Sequence, residues 1–209
     1  MRFAREGYPI VAIPAVLTAL LLVFGRFLLA AILGVLSLGL LAFFRDPERV
    51  IPSGEDLIVA PADGKVVSIT LVNGGPLIES ARARISIFLS PLDVHINRAP
   101  IASKVTDVRH QSGKFVAAYK DEASERNEQN ALRMVDKEAR EVGVVQVAGV
   151  VARRIICKVK QGDILARGAR FGLIMFGSRT DLYLPATARI DVSEGQRVKG
   201  GETIIGRFV

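Results

Sequence analysis

One cysteine, two histidines and no tryptophan occur in 209 residues, and each scarcity removes a class of function. Cys157 alone cannot close an internal disulfide, so the chain suits a reducing compartment and a thiol site is not expected. His95 and His110 beside a single cysteine are too few for a zinc site, and no metal is expected. Aromatic residues make up 6% of the chain. Long Arg/Lys runs and aromatic-studded strand motifs are missing, so no nucleic-acid partner is expected. The formal net charge of +7, from 28 basic and 21 acidic residues, then fits an anionic membrane surface. A nucleophile elbow of the G-x-S-x-G kind is also missing. So is a methionine-flanked lysine at a hairpin tip, which argues against a carrier domain.

Half of the residues are hydrophobic and the mean hydropathy is +0.33, but the excess is local. Residues 8–25 and 27–44 form two apolar runs separated by Arg26, each near the ~20 residues that span a bilayer as a helix. A signal peptide would lack the second run and would need a small-residue cleavage site. Two helices that return on themselves, either across the bilayer or within one leaflet, place Arg2, Arg5, Arg45 and Arg49 on one side. The positive-inside rule makes that side cytoplasmic. A single long bent helix is the other option, with its ends on opposite sides; the hairpin is preferred. Pro47 stops the second helix, so residues 1–47 are assigned to a membrane-associating helical segment and 48–209 to a separate domain.

After Pro47 the texture changes. Residues 66–72, 83–89, 102–109, 131–136 and 143–158 are rich in Val and Ile, several alternate polar with apolar, and Gly, Pro, Asn and Asp separate them. These are the marks of short antiparallel strands. Residues 120–130 are polar, and Asn127, Gln129 and Asn130 favour a loop over a short helix. The fold class expected is mainly β, a barrel-sandwich-like antiparallel domain behind an N-terminal hydrophobic helical hairpin. A weak repeat, Val159 to Gly168 against Val192 to Gly200, sets glycines at turns between hydrophobic strands. Its simplest meaning is two similar β-turns. Long apolar strands in so small a domain fit a homodimer.

Three places carry chemistry. In Phe176-Gly177-Ser178-Arg179 the Ser178 hydroxyl can attack the carbonyl before it, turning an amide into an ester. Gly177 leaves that carbonyl unshielded and tolerates unusual dihedrals. Elimination of the ester would leave residue 178 as a pyruvoyl group at a new N-terminus. Most Gly-Ser pairs are turns, and the pair alone does not decide. Asp63, in Pro61-Ala62-Asp63-Gly64, reads first as a turn residue bonded to its own backbone. His95 lies in Ser90-Pro91-Leu92-Asp93-Val94-His95-Ile96-Asn97-Arg98-Ala99-Pro100, where Asp, His, Asn and Arg crowd between two prolines. That segment reads as a site loop rather than a core strand, while His110 reads as surface.

These stretches resemble the phosphatidylserine decarboxylase proenzymes in their short form. The matching segments are Phe43-Phe44-Arg45-Asp46-Pro47, Pro61-Ala62-Asp63-Gly64, the Ser90–Pro100 loop, Glu125-Arg126-Asn127-Glu128, Gln146-Val147-Ala148-Gly149, Ala152-Arg153-Arg154-Ile155 and Phe176-Gly177-Ser178. They run in family order over nearly the whole chain. The resemblance implies self-cleavage between Gly177 and Ser178, giving a large subunit 1–177 and a small subunit 178–209 that begins with the pyruvoyl cofactor. It makes Ser178 the nucleophile, His95 its base and Asp63 the residue that orients that base, a serine-triad logic used once on the protein's own backbone. The long bacterial form carries two histidines three residues apart in the His95 loop, and the second position here is Arg98. His95 then serves both maturation and turnover, or another donor supplies the proton.

The implied reaction is decarboxylation of phosphatidylserine to phosphatidylethanolamine and CO2. The serine amine of the aminophospholipid condenses with the pyruvoyl ketone, which accepts the electrons left by CO2, and His95 returns the proton. Arg98, Arg153, Arg154 and Arg179 are the candidates for the lipid phosphate, most of the four reading as solvated surface charges. The implied location is the inner membrane, with the catalytic domain on the cytoplasmic side. An archaetidylserine with the same headgroup is the alternative substrate. A non-catalytic membrane-anchored barrel-sandwich adaptor explains the apolar start but not the set of Asp63, His95 and Gly177-Ser178.

Overall fold

A computed structural model describes residues 2–114, 127–149, 154–175 and 177–209. It divides into two compact units, Met1–Glu48 and Arg49–Val209.

In the first unit β1 (Arg2–Phe3) leads through a 3-10 turn to α1 (Tyr8–Val23), α2 (Phe27–Phe43) and β2 (Arg45–Asp46). Gly25 breaks the helix: it takes φ +68°, which glycine adopts without a Cβ penalty. Arg26 N–H then bonds the Leu21 carbonyl and Gly25 N–H that of Leu22, the paired closure of a Schellman cap. A Cβ on Gly34 would lie 3.6 Å from Thr18, so α2 folds back along α1 as a hairpin. β1 pairs antiparallel with β2, Arg2 opposite Asp46, and this joins the two ends of the hairpin. With 16 and 17 residues, each helix is about 24–26 Å long at ~1.5 Å per residue. Ile13, Leu28, Val35 and other large apolar side chains on both helices are left exposed.

The second unit is mainly β, with strands β3 (Leu57–Val59), β4 (Gly64–Leu71), β5 (Ala81–Leu89), β6 (Ile96–Arg98), β7 (Ser103–Gln111), β8 (Gln129–Val135), β9 (Glu141–Val147), β10 (Ile155–Cys157), β11 (Ile164–Leu165), β12 (Arg170–Ile174), β13 (Ser178–Pro185), β14 (Ala188–Ile190), β15 (Arg197–Val198) and β16 (Ile204–Phe208). An antiparallel sheet runs β11-β7-β8-β9-β13-β5-β4-β15, and two smaller sheets run β10-β12-β6 and β14-β16-β3. β13 therefore lies inside the large sheet, hydrogen-bonded to β5 and β9 along most of its length. Alternation sends Leu182 and Leu184 to the main core with Ile87, Leu132, Val144 and Phe171, and Tyr183 to a second cluster with Ile78, Val145 and Val147 on the other face.

The hydrophobic run 143–158, expected as one strand, is two. β9 ends at Val147 in the large sheet, and β10 pairs with β12 in a different one. Val142 and Val144 of β9 face one core and Val145 and Val147 the other. A strand buried on both faces shows no alternation, so its end is not marked. Of residues 120–130, the first seven fall outside the described residues, while Gln129 already opens β8.

The glycine repeat proves to be architectural. β11 caps one edge of the large sheet against β7 and β15 caps the other against β4, and such short edge strands offer little to a foreign strand. Gly162 N–H bonds the Val105 carbonyl at 2.8 Å and Gly195 N–H that of Val66 at 2.8 Å. Likewise Gly168 bonds Ala99, and Gly201 bonds Ala60, each at 2.8 Å. The acceptors belong to a second repeat, Ala60-Pro61-Ala62-Asp63-Gly64-Lys65-Val66 against Ala99-Pro100-Ile101-Ala102-Ser103-Lys104-Val105. Each copy runs from a three-residue strand into a long one, β3 into β4 and β6 into β7. Two copies of one supersecondary unit thus form the two ends of the sheet.

Candidate active site

Ser178 opens β13, opposite Leu89 of β5. It is fully buried, and among the described residues its Oγ has no hydrogen-bond partner. Gly177 takes φ +64°, and a Cβ there would meet nothing within 4 Å. Glycine is thus required by the left-handed backbone rather than by crowding, and its surroundings are open to attack from the neighbouring hydroxyl.

His95 enters β6 from a tight turn. Asp93 Oδ2 accepts from Ser90 N–H at 2.8 Å and from Ser90 Oγ at 2.7 Å, and Asp93 N–H returns to the Ser90 carbonyl at 2.9 Å. Arg197 of β15 holds Asp93 Oδ1. His95 is 2% exposed, and its Nδ1–H donates to the Asp93 carbonyl at 2.9 Å. With Nδ1 as donor, Nε2 carries the lone pair of the neutral ring. The His95 carbonyl accepts from Ile174 N–H at 3.3 Å. Asn97 Nδ2 donates to Thr180 Oγ1 at 3.0 Å. The His95 strand is therefore fastened on one side to the chain four residues before Ser178, and on the other to the residue two beyond it.

Asp63 is held by two groups from elsewhere in the chain. Among the described residues its carboxylate accepts from Arg49 Nη2 at 2.7 Å and from Gly200 N–H at 2.8 Å. The Asp93 carbonyl is one contact that orients His95. Burial lifts the Asp63 carboxyl above its ordinary range, with Arg49 and the Gly200 N–H pulling the other way. The Asp63 loop still reaches β6, because Arg98 N–H donates to the Pro61 carbonyl at 2.9 Å. Gly64 follows with φ +149°, and a Cβ there would lie 2.1 Å from the Phe88 carbonyl oxygen.

The four arginines separate clearly. Arg98 is buried, with Nη1 on the Gly168 carbonyl at 3.1 Å. Arg179 is 1% exposed and pairs with Asp181 at 2.9 Å, on the face of β13 opposite Ser178 by strand alternation. Arg154 is exposed, and its carbonyl accepts from Met175 N–H at 3.2 Å, beside the turn that carries Gly177. Arg153 lies outside the described residues.

Residues 37–206 match the family model described as phosphatidylserine decarboxylase. The chain belongs to the phosphatidylserine decarboxylase family. It is 51% identical to a phosphatidylserine decarboxylase proenzyme of Gluconobacter oxydans over 171 residues, 80% of this chain and 76% of that one. Proenzymes of Magnetococcus marinus, at 45% over 208 residues, and Syntrophus aciditrophicus, at 43% over 209, each align with 98% of this chain and with 94% and 97% of their own length.

Several residues that contact the candidate site were not singled out by sequence reasoning. Arg49 read only as a charge flanking the apolar hairpin, Gln146 only as part of a strand and of a matching segment, and Arg197 and Thr180 were not singled out. Gln146 and Thr180 are opposite one another in β9 and β13, and hydrophilic residues within the valine-rich β9 were the available signal. A surface cavity of about 870 Å³ at the other end of the sheet is lined by Lys104, Val135, Asp136, Ile164 and Arg167 among others, and contains neither His95 nor Ser178. Among the described residues no group of three or more His, Cys, Asp or Glu could hold a metal ion.

Proposed function

We propose that this chain is a self-cleaving, pyruvoyl-dependent phosphatidylserine decarboxylase, cut between Gly177 and Ser178. The observation that carries the reading is a left-handed Gly177 immediately before a buried Ser178 whose Oγ makes no hydrogen bond among the described residues. A hydroxyl left in that state is costly unless it has other work.

In the cut, Ser178 Oγ attacks the Gly177 carbonyl carbon while Nε2 of His95 accepts the hydroxyl proton. The amide becomes an ester with its nitrogen freed as an amine; loss of the Ser178 α-proton then eliminates Gly177 as the carboxylate end of the large subunit and leaves dehydroalanine, whose nitrogen water displaces as ammonia to give the ketone. The residues present fit a pyruvoyl group at position 178: the site is buried, and β5 and β9 hold the new N-terminus from both sides. When formed, that ketone supplies an electron sink for the carboxylate carbon of a bound serine headgroup. His95, held through Nδ1, is the proton donor and acceptor beside it. Asp63 acts on this centre through the loop that it ties to Arg49 and Gly200. Arg154 is the arginine best supported for the headgroup phosphate, being exposed and adjacent to the cut-site turn.

The apolar hairpin supports membrane attachment. Its two ends meet where Arg2 and Phe3 pair with Asp46 and Arg45, which favours a cytoplasmic location for that end. The testing experiment is the denatured mass of the purified protein. Two chains, 1–177 and 178–209, the smaller blocked at its N-terminus and reactive with borohydride, are expected together with CO2 release from phosphatidylserine vesicles. A single intact chain without that activity overturns the reading.

A further inference from the structure

Four polar side chains from four strands form a buried line between the two sheets. Asn130 Nδ2 donates to Gln146 Oε1 at 3.1 Å, Gln146 Nε2 to Asn97 Oδ1 at 2.9 Å, and Asn97 Nδ2 to Thr180 Oγ1 at 3.0 Å. Asn130 is 3% exposed and the other three are fully buried. Asn130, Gln146 and Thr180 are register neighbours across β8, β9 and β13, while Asn97 reaches them from β6. Gly172 of β12 makes room, since a Cβ there would come 3.0 Å from Gln146 Nε2.

Stability does not call for this arrangement. Side chains of the main core surround the same strands, and apolar residues there would avoid desolvating three amides and a hydroxyl. What a satisfied polar line adds is a unique register between the elements it joins. Here those elements are the strand of His95 and the strand of Ser178, each gripped two residues beyond its reactive side chain. The line is also directional. Every amide donates towards Thr180, whose Oγ1 is the last acceptor of the line, on the face of β13 that carries Ser178. Asn97, Asn130 and Gln146 belong to the large subunit of the proposed cut and Thr180 to the small one, so the line still joins the two when the tether through Gly177 is gone.

We infer that Asn97, Gln146 and Thr180 are positioning residues that set His95 against residue 178 in both self-cleavage and turnover. This rests on the proposed cut at Gly177-Ser178. Misplacement of reacting groups by about 1 Å costs on the order of 100-fold in rate. Thr180→Val removes the hydroxyl at constant shape, Thr180→Ser keeps it, and Asn97→Asp keeps the volume but removes the donor. The experiment follows chain splitting by intact mass after cell-free synthesis into anionic vesicles, with a thermal melt of each variant. It then takes kcat and KM on the matured fraction.

Thr180→Val and Asn97→Asp are expected to split roughly 10- to 100-fold more slowly and to lose kcat at unaltered KM, while Thr180→Ser recovers most of the rate. Wild-type rates in both slow candidates overturn the inference, and so does a Thr180→Ser as slow as Thr180→Val. If Thr180→Val melts below the assay temperature, Asn97→Asp carries the comparison. A wild-type chain that never splits overturns the proposed function and this inference with it; a wild type that splits beside unaffected variants overturns the inference alone.

Discussion

The backbone carbonyl of Asp93 accepts a hydrogen bond from Nδ1 of His95 at 2.9 Å, so a main-chain oxygen helps to fix the ring of the candidate base. His95→Ala is therefore expected to stop chain splitting, a loss of at least ~100-fold from removing a general base. Arg197→Ala breaks only the half-exposed ion pair to Asp93, a kind of contact worth roughly 0–1 kcal/mol, and its splitting rate should stay within about fivefold of wild type. Intact mass against time measures both. Equal loss in the two variants would mean that the Asp93 carboxylate, not its carbonyl, governs His95.

Gly177→Ala tests the backbone at the cut. The site is sterically open, yet φ +64° costs an L-residue about 1–2 kcal/mol. Splitting should slow about tenfold, from the change in dihedral preference, with the melting temperature lowered by about 2–8 °C. Splitting at the wild-type rate would show that the left-handed turn is not needed for attack.

Arg154→Ala separates substrate binding from maturation. If Arg154 holds the headgroup phosphate, removing its charged hydrogen bonds, worth ~1.5–3 kcal/mol, raises KM for vesicle phosphatidylserine about tenfold or more. The chain should still split normally. An unchanged KM would pass the role to another cation.

Asp63 predicts a pH dependence of stability with a definite sign. Burial raises its carboxyl in the fold, against Arg49 and Gly200, so around and above the ordinary carboxylate range the folded state binds more proton than the unfolded. The contribution is full below the unfolded pKa of about 4 and is lost as pH rises through the folded value. Melts of wild type and Asp63→Asn across that window should show the wild type losing ground to the variant as pH rises. A difference that grows the other way would mean that Arg49 outweighs burial.

Much of the site was legible locally. Gly177-Ser178 is adjacent in the chain, and the Asp-His-Asn-Arg loop around His95 is a dense run of polar residues between prolines. Most strands were legible by alternation. The edge-capping repeats around β11 and β15 were visible only as glycine turns, because their meaning depends on which carbonyls, those of Val66 and Val105, their N–H groups reach. The shared Ala-Pro lead into β4 and β7 could have been found by comparing the chain with itself.

The sequence by itself determined the apolar hairpin, the β texture and the reactive residue types, since each depends on neighbours within one or two turns of chain. Only the tertiary structure decided that Asp63 goes to Arg49 and Gly200, that Arg179 is buried with Asp181 behind Ser178, and that Asn97 meets Thr180. Those pairings follow from strand order and register. A polar side chain in the interior takes the partner that the sheets bring to it, because leaving it unpaired there costs more than any local preference can return.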